Sequence, residues 1–309
     1  MLKNIRAFFD ERGVLEVETP LFATGAATEP NLSSFHSGYP AASAQQTLYL
    51  NTSPEFAMKR FLAAYGESAY QICKAFRDGE LGPNHNPEFT LLEWYRPGFG
   101  MFELMDEIEQ LITRVLQTQA VFTRLSYADA FMQSGGFDPH IATAKVCRRC
   151  AERFGIEIPV GLDNDAGADV NAWLDWLLTQ HVLPGLEQHG FTFIYDFPRS
   201  QSSLAVLRTD SIGRMVAARF ELYYGELELA NGFVELRDAD EQRARFEQDN
   251  RARARRGQSQ APVDAYLLAA LRHGLPACSG VALGLDRLLM LQCGAADIRD
   301  VLMFPWDRI

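Results

Sequence analysis

Apolar residues recur at helical spacing over residues 1–12, where Leu2, Ile5, Phe8 and Phe9 share one face and Gly13 ends the run. Alternation follows in Val14-Leu15-Glu16-Val17-Glu18-Thr19-Pro20, a strand stopped by proline. Residues 21–46 are small, polar and rich in Gly, Ala and Ser, and read as a loop. Leu48-Tyr49-Leu50 then leads through Asn51-Thr52-Ser53-Pro54-Glu55 into an amphipathic helix carrying Met58, Phe61 and Leu62. Proline in the first turn with an acid behind it is a helix start. Tyr70-Gln71-Ile72-Cys73-Lys74 alternates again and delivers Arg77 to its end. The stretch Gly79 to Pro87 holds two Gly and two Pro and must turn. Phe89 to Tyr95 resumes the extended pattern, with Phe89, Leu91, Glu93 and Tyr95 on one face and Thr90, Leu92 and Trp94 on the other. A carboxylate and a phenol on one face suggest a strand lining a polar pocket. The alternative is a hairpin with a solvated face.

Further along, Phe102, Met105, Ile108, Leu111, Ile112 and Val115 mark an amphipathic helix over residues 102–117. From about residue 125 to 190 the pattern is mainly helical, with Trp173, Leu174, Trp176, Leu177 and Val182 as core, and it reads as a helical insertion. Phe191 to Phe197 alternates and stops at Pro198. The β-type stretch Ala218 to Leu236 carries four glutamates, which would burden an ordinary buried strand. Glu221, Glu228 and Glu235 fall seven apart; turns at Gly225 and at Asn231-Gly232 would reset the register and converge them, and a solvated antiparallel edge is the alternative. Residues 238–256 form a charged helix bearing Arg243, Arg245, Arg251, Arg253, Arg255 and Arg256, either a solvated face or a docking patch for an acidic partner. The segment Ser279 to Met290 is a glycine-punctuated strand running into a helix with Arg287 in its first turn. Gly280 and Gly284 would let a ligand approach the backbone.

Composition narrows the classes. The 309 residues, 47% hydrophobic and 22% charged, suit a globular protein of one large domain or two. No apolar run approaches the roughly 20 residues of a membrane span, and no leader is expected before the first helix. Five cysteines, an odd number, fit a reducing cytoplasm. Cys147 and Cys150 form a CxxC, but no second CxxC or CxxH completes a zinc site, and they read as helix cysteines. The net charge of −11, from 29 basic and 40 acidic residues, argues against a protein that mainly grips a polyanion.

Phe76-Arg77, a short loop, His85-Asn86-Pro87-Glu88-Phe89-Thr90 and then Glu93 resemble motif 2 of the class II aminoacyl-tRNA synthetases, lysine branch. Residues 1–20 resemble motif 1, and Gly-Leu-Asp-Arg at Gly284–Arg287 resembles motif 3. The resemblance implies a single α+β catalytic domain over 1–309, a mostly antiparallel sheet flanked by helices. It also implies a homodimer built on motif 1, with Phe8 and Phe9 exposed to seat it. An anticodon-binding domain of roughly a hundred residues is not expected, since the chain has no room for one ahead of motif 1.

The same resemblance implies ATP and Mg²⁺ and carries over named positions. Arg77 takes the α-phosphate and Arg287 the far end of the triphosphate, as the two catalytic residues. Phe89 lies under the adenine, and Asp78, Gly79, His85, Asn86, Leu229 and Gly284 complete the nucleotide site. Glu221 and Glu228 hold Mg²⁺, the latter also touching ATP. Ser53, Pro54, Glu55, Glu93, Tyr95, Asn231, Phe233, Glu235 and Ala282 surround an amino acid with two ammonium groups. Ser53 and Ala282 replace the alanine and glycine of lysyl-tRNA synthetases. With Glu-Trp-Tyr-Arg-Pro and Glu-Leu-Ala-Asn-Gly-Phe they look like the stand-alone branch that transfers (R)-β-lysine or lysine to a lysine of elongation factor P, not to tRNA. Two positions depart from the pattern. Gly79 stands where motif 2 has glutamate, with Glu80 one place later, and Ala218 stands where an acid precedes Arg219. A truncated lysyl-tRNA synthetase-like enzyme acting on tRNA and a catalytically weak regulatory paralogue are the alternatives.

Overall fold

A computed structural model describes the chain except residues 41–44, 163–168 and 187–188. Those residues take in part of the expected loop at 21–46 and of the expected helical stretch at 125–190, which there lie outside the described residues. The chain divides into two compact units, Met1–Gln117 with Val234–Ile309, and Thr118–Phe233.

In the first unit the strand Leu15–Glu16 pairs in parallel with Ala69–Phe76. Ala69–Phe76 runs antiparallel to Glu88–Pro97, which runs antiparallel to Cys278–Gly284. The alternation expected around the motif 2 turn is therefore a real hairpin, in register from Ala69 opposite Tyr95 to Phe76 opposite Glu88. Its outer end is closed by Arg77 N donating to Pro87 O at 2.9 Å. Gly79 sits in that turn at φ +85°, a conformation that strains any side chain with a Cβ.

Behind the sheet, Phe9 stacks on Tyr70 with ring centroids 4.4 Å apart and meets Trp94 edge-on at 5.4 Å. Phe8 and Phe9, expected to be exposed for a partner copy, are instead 1% and 0% exposed within their own unit. The helix Leu2–Asp10 turns them inward because Tyr70 and Trp94 offer an aromatic surface from the sheet. The helix Met101–Leu116 buries Leu104, Met105, Ile108, Leu111 and Ile112, as its spacing predicts. It also buries Glu107, which accepts from Trp94 Nε1 at 3.0 Å and lies 3.4 Å from Arg96. Trp94 is thus fixed at both ends, and with it the strand whose opposite face carries Glu93 and Tyr95.

Two further readings change. The stretch 21–46 read as a loop contains strands Phe22–Ala23 and His36–Pro40 and the start of Gln45–Leu50, which together form a three-stranded antiparallel sheet. In the arginine-rich helix Ala239–Arg255, Arg253 is buried and donates to the carbonyls of Ser259, Glu29 and Leu32. That arginine ties the helix down, while Arg243, Arg251 and Arg255 face outward.

The second unit is a sheet of Leu227–Val234, Met215–Tyr224 and Phe191–Pro198, successively antiparallel, with Phe122–Ser126 added in parallel. Helices Tyr127–Ser134, Ala144–Phe154 and Val170–Leu177 cover it around Trp173, Phe131, Leu174 and Ile194. Cys147 and Cys150 lie in that core, and burial pushes the Cys147 thiol up to about 12, which keeps it unreactive. The expected turn at Asn231-Gly232 does not form. Both residues sit within the strand, Asn231 opposite Glu221 and Gly232 opposite Phe220, and the chain reverses only near Gly225 at φ +56°.

Phe9→Ala is expected to lower stability by about 3–5 kcal/mol, because it empties the centre of an aromatic cluster. Urea denaturation checks this; a loss below about 1 kcal/mol would place Phe9 outside the core.

Candidate active site

Three groups of the expected residues take shape, two in the first unit and one in the second. The first lies at the open end of the motif 2 hairpin. The Arg77 guanidinium stands 5.0 Å from the Phe89 ring centroid and its Nη1 is 3.6 Å from Glu80 Oε1. Glu80, beside the departing Gly79, therefore reaches the arginine that motif 2 places here. Arg77 Nε is buried without a hydrogen-bond partner, a donor whose desolvation a phosphate oxygen would offset. Asp78 is exposed and held by its backbone to Ser33 O at 2.8 Å.

Motif 3 comes alongside. Gly284 caps the helix Leu285–Cys293, and Asp286 accepts from Thr90 N at 2.6 Å, locking that helix to the motif 2 strand. Arg287 donates through Nε to Asn84 O at 3.1 Å and through Nη2 to His85 Nε2 at 2.8 Å. His85 thus accepts at Nε2, the neutral tautomer with its proton on Nδ1. Asn86 is buried with its amide engaged, donating to Glu88 O and accepting from Trp306 N, which braces the loop.

The second group is acidic. Glu55 opens the helix Glu55–Tyr65 immediately after Pro54, and its backbone N–H donates to Ser53 Oγ at 3.0 Å. Ser53 Oγ in turn donates to Glu93 Oε2 at 2.6 Å, and Tyr95 Oη donates to Glu93 Oε1 at 2.7 Å. Glu235 is 1% exposed. Lys59, which sequence reasoning missed, places Nζ 2.6 Å from Glu55 Oε1 and 2.5 Å from Glu235 Oε2. The signal for it was present: Lys59 lies four residues after Glu55, beside Met58 on the buried face. Ala282 stands directly opposite Glu93 in the sheet, and Gly280 opposite Tyr95. A Cβ on Gly280 would fall 2.3 Å from the Tyr95 ring and 2.6 Å from Glu235 Oε1. Gly280 was expected to admit a ligand; the protein's own Tyr95 and Glu235 use that space.

Burial dominates the protonation of this group. It pushes Glu93 up to about 8, Glu55 adds to the shift, and the hydrogen bonds from Ser53 and Tyr95 oppose it. Burial likewise raises Glu235, to about 7, with the Lys59 ammonium restraining the rise. Burial works against the charge of Lys59 too, but Glu235 and Glu55 outweigh it and hold its pKa above the ordinary value.

The third group belongs to the second unit. Glu221 is buried and accepts from both Arg219 and Tyr223, with Asn231 Nδ2 donating to it at 3.3 Å. Burial raises its pKa to about 7; Arg219 opposes this and the nearby Glu228 charge adds to it. Glu228 sits opposite Tyr223 across the hairpin, and Leu229 beside it is buried. Phe233 packs on the unit's core, with the Arg219 guanidinium 5.9 Å from its ring. Ala218, where the motif has an acid, is 1% exposed and leaves no room for a solvated carboxylate. Two repelling carboxylates supply oxygen donors of the kind a hard divalent cation takes, so the residues fit Mg²⁺.

Residues 1–308 match the family described as tRNA synthetases class II (D, K and N). The chain is 46% identical over 310 aligned positions to the elongation factor P–(R)-β-lysine ligase of Yersinia enterocolitica, covering 100% of this chain and 93% of that one. The enzyme of the same name from Pectobacterium atrosepticum is 46% identical over 306 positions, with 98% and 92% covered. That of Salmonella paratyphi B is 47% identical over 310 positions, with 100% and 93% covered. Motif 2 as a closed hairpin, motif 3 locked to it through Asp286, and a match running the length of the chain lead to one conclusion: the protein belongs to the class II tRNA synthetase family.

Proposed function

We propose that this protein activates (R)-β-lysine, or lysine, with ATP as an aminoacyl-adenylate and transfers the acyl group to a lysine side chain of elongation factor P. The carrying observation is the group of Glu55, Glu93 and Glu235, in which the single ammonium of Lys59 meets Glu55 and Glu235 while buried Glu93 feels both of those carboxylates and has only Ser53 and Tyr95 as donors. Such a group is costly to bury unless further positive charge joins it, and an amino acid with two ammonium groups brings that charge. The relatives' names supply the acceptor, and the net charge of −11 favours a protein acceptor over tRNA. A cytoplasmic location belongs to the same reading, and the five free cysteines fit it. A single family match across both compact units supports treating them as one catalytic domain with the helical stretch at about 125–190 inserted.

In this scheme Glu93, held by Ser53 and Tyr95, takes a substrate ammonium, and Ala282 opposite it trims the space there. The substrate carboxylate then attacks the α-phosphorus of ATP and pyrophosphate departs. Arg77 neutralises the charge that develops on the α-phosphate, with Glu80 orienting the guanidinium and Phe89 under the adenine. Arg287, aimed by Asn84 O and His85, takes the outgoing phosphates. Glu221 and Glu228 would hold Mg²⁺, which when bound lowers the charge of the triphosphate. The acceptor amine finally displaces AMP from the acyl carbon, leaving an amide.

ATP–pyrophosphate exchange with α-lysine and both β-lysine enantiomers, followed by mass analysis of elongation factor P, tests the reading. Exchange with (R)-β-lysine or lysine and a mass increase on elongation factor P are expected; acylation of tRNA instead would overturn it. In the same assay Arg77→Ala and Arg287→Ala should each cut exchange by roughly a hundredfold or more while keeping the fold, since each removes about 3 kcal/mol of charge stabilisation in the transition state.

We also propose a homodimer. Phe8 and Phe9 no longer support it, but Leu15 stands 47% exposed in the motif 1 stretch, and Leu21 and Phe22 just after it stand 39% and 48% exposed. Sedimentation at micromolar concentration should give twice the 34.7 kDa chain mass; a 34.7 kDa species alone would rule the dimer out.

A further inference from the structure

Lys59 has no part in the scheme above, yet its side chain is 1% exposed and its ammonium lies between two carboxylates assigned to the substrate end. A lysine is seldom buried without a specific charge to meet. Here it meets two, one from the first turn of the helix Glu55–Tyr65 and one from Glu235, whose backbone N–H donates to Cys278 O at 3.0 Å. This ammonium joins the helix to Glu235, beside the Ser53 link from the helix start to Glu93.

We infer that Lys59 is a positioning residue for the reaction: its ammonium clamps Glu55 and Glu235 in fixed places and cancels part of the pocket's negative charge, so that the remainder matches the two ammonium groups of a lysine-like substrate. This rests on the function proposed above and adds to it what sets the charge and the shape of the ammonium end. With Lys59 present, Glu55 and Glu235 share one internal cation and Glu93 has none, and a substrate with two ammonium groups supplies the charge that is missing. Without it, burial acts on Glu235 unopposed by the nearest cation, and its pKa climbs above about 7. The other groups that bear on this cluster are Glu93 and Tyr95 from the strand Glu88–Pro97, and Cys278, which feels Glu235, Lys59 and Arg237. Lys59 is the buried ammonium ion-paired with Glu235, and the Gly280 backbone N–H is a second group that lowers the Glu235 pKa.

The test varies the amino acid in ATP–pyrophosphate exchange between about pH 6 and pH 9, comparing wild type with Lys59→Met and Lys59→Arg. Lys59→Met should raise the amino-acid KM about tenfold or more while the ATP KM stays put, the loss expected for a pocket whose carboxylates are no longer held. The acid limb of its kcat/KM should move to higher pH, because Glu235 then ionises later; a purely structural lysine would not move that limb. Lys59→Arg keeps the charge and should return the limb to its wild-type position with the amino-acid KM still raised, since the guanidinium does not copy the compact ammonium. A folded Lys59→Met with an unmoved limb overturns the inference. If the methionine variant does not fold, Lys59→Arg decides: a shifted limb there overturns it, and an unshifted limb with a raised KM supports it. Wild type inactive with every amino acid would instead count against the proposed function.

Discussion

Two buried carboxyl groups, Glu93 and Glu235, with the half-buried Glu55 beside them, are the constraint around which the first unit is arranged. Charge taken out of water must be met by charge or by hydrogen bonds, or the group gives up its proton state. The protein uses both answers. Lys59 supplies an ammonium to Glu55 and Glu235, while Ser53 and Tyr95 each give Glu93 a hydrogen bond. Neither answer completes the cancellation, and Glu93 rises to about 8. That residual imbalance is the feature on which the proposed binding of a cationic substrate rests.

The surrounding fold follows from holding those groups still. Period-two alternation puts Glu93 and Tyr95 on one face and Trp94 on the other, where Phe9 and Glu107 grip it. Gly280 is glycine because Tyr95 and Glu235 occupy the place of its side chain. The helix Glu55–Tyr65 begins at Pro54 so that Ser53 and Glu55 reach the cluster from its first turn. In the second unit the same physics recurs on a smaller scale, with Arg219, Tyr223 and Asn231 converging on buried Glu221. In both places local donors oppose the rise that burial imposes on a carboxyl group without cancelling it, leaving Glu93 at about 8 and Glu221 at about 7.

Much of this was legible because the informative features were local. Hairpin alternation, a Thr-Ser-Pro-Glu helix start and a Gly-Leu-Asp-Arg strand-to-helix junction each lie within a few residues, and each formed where its pattern placed it. What escaped depended on distant partners or on tertiary override. Phe8 and Phe9 read as exposed because Tyr70 and Trp94, which cover them, lie far along the chain. The strand His36–Pro40 is exposed at every position and shows no apolar alternation. Asn231-Gly232 is a strong turn dipeptide held extended by its pairing with Glu221 and Phe220. Lys59 was hidden by its residue type, since a lysine beside Met58 reads as a helix surface until Glu235 arrives from the other end of the sequence.

Proton counting on substrate binding tests the charge account most directly. At pH 7 Glu93, with its pKa near 8, carries its proton in the free protein. An ammonium group arriving beside the carboxyl lowers that pKa, so the proton leaves as the ligand binds. Calorimetric titration of (R)-β-lysine or lysine in buffers of differing ionisation heat should therefore show release of about one proton at pH 7, fading above about pH 9 where Glu93 is already ionised. Binding heats that do not depend on the buffer would contradict the account.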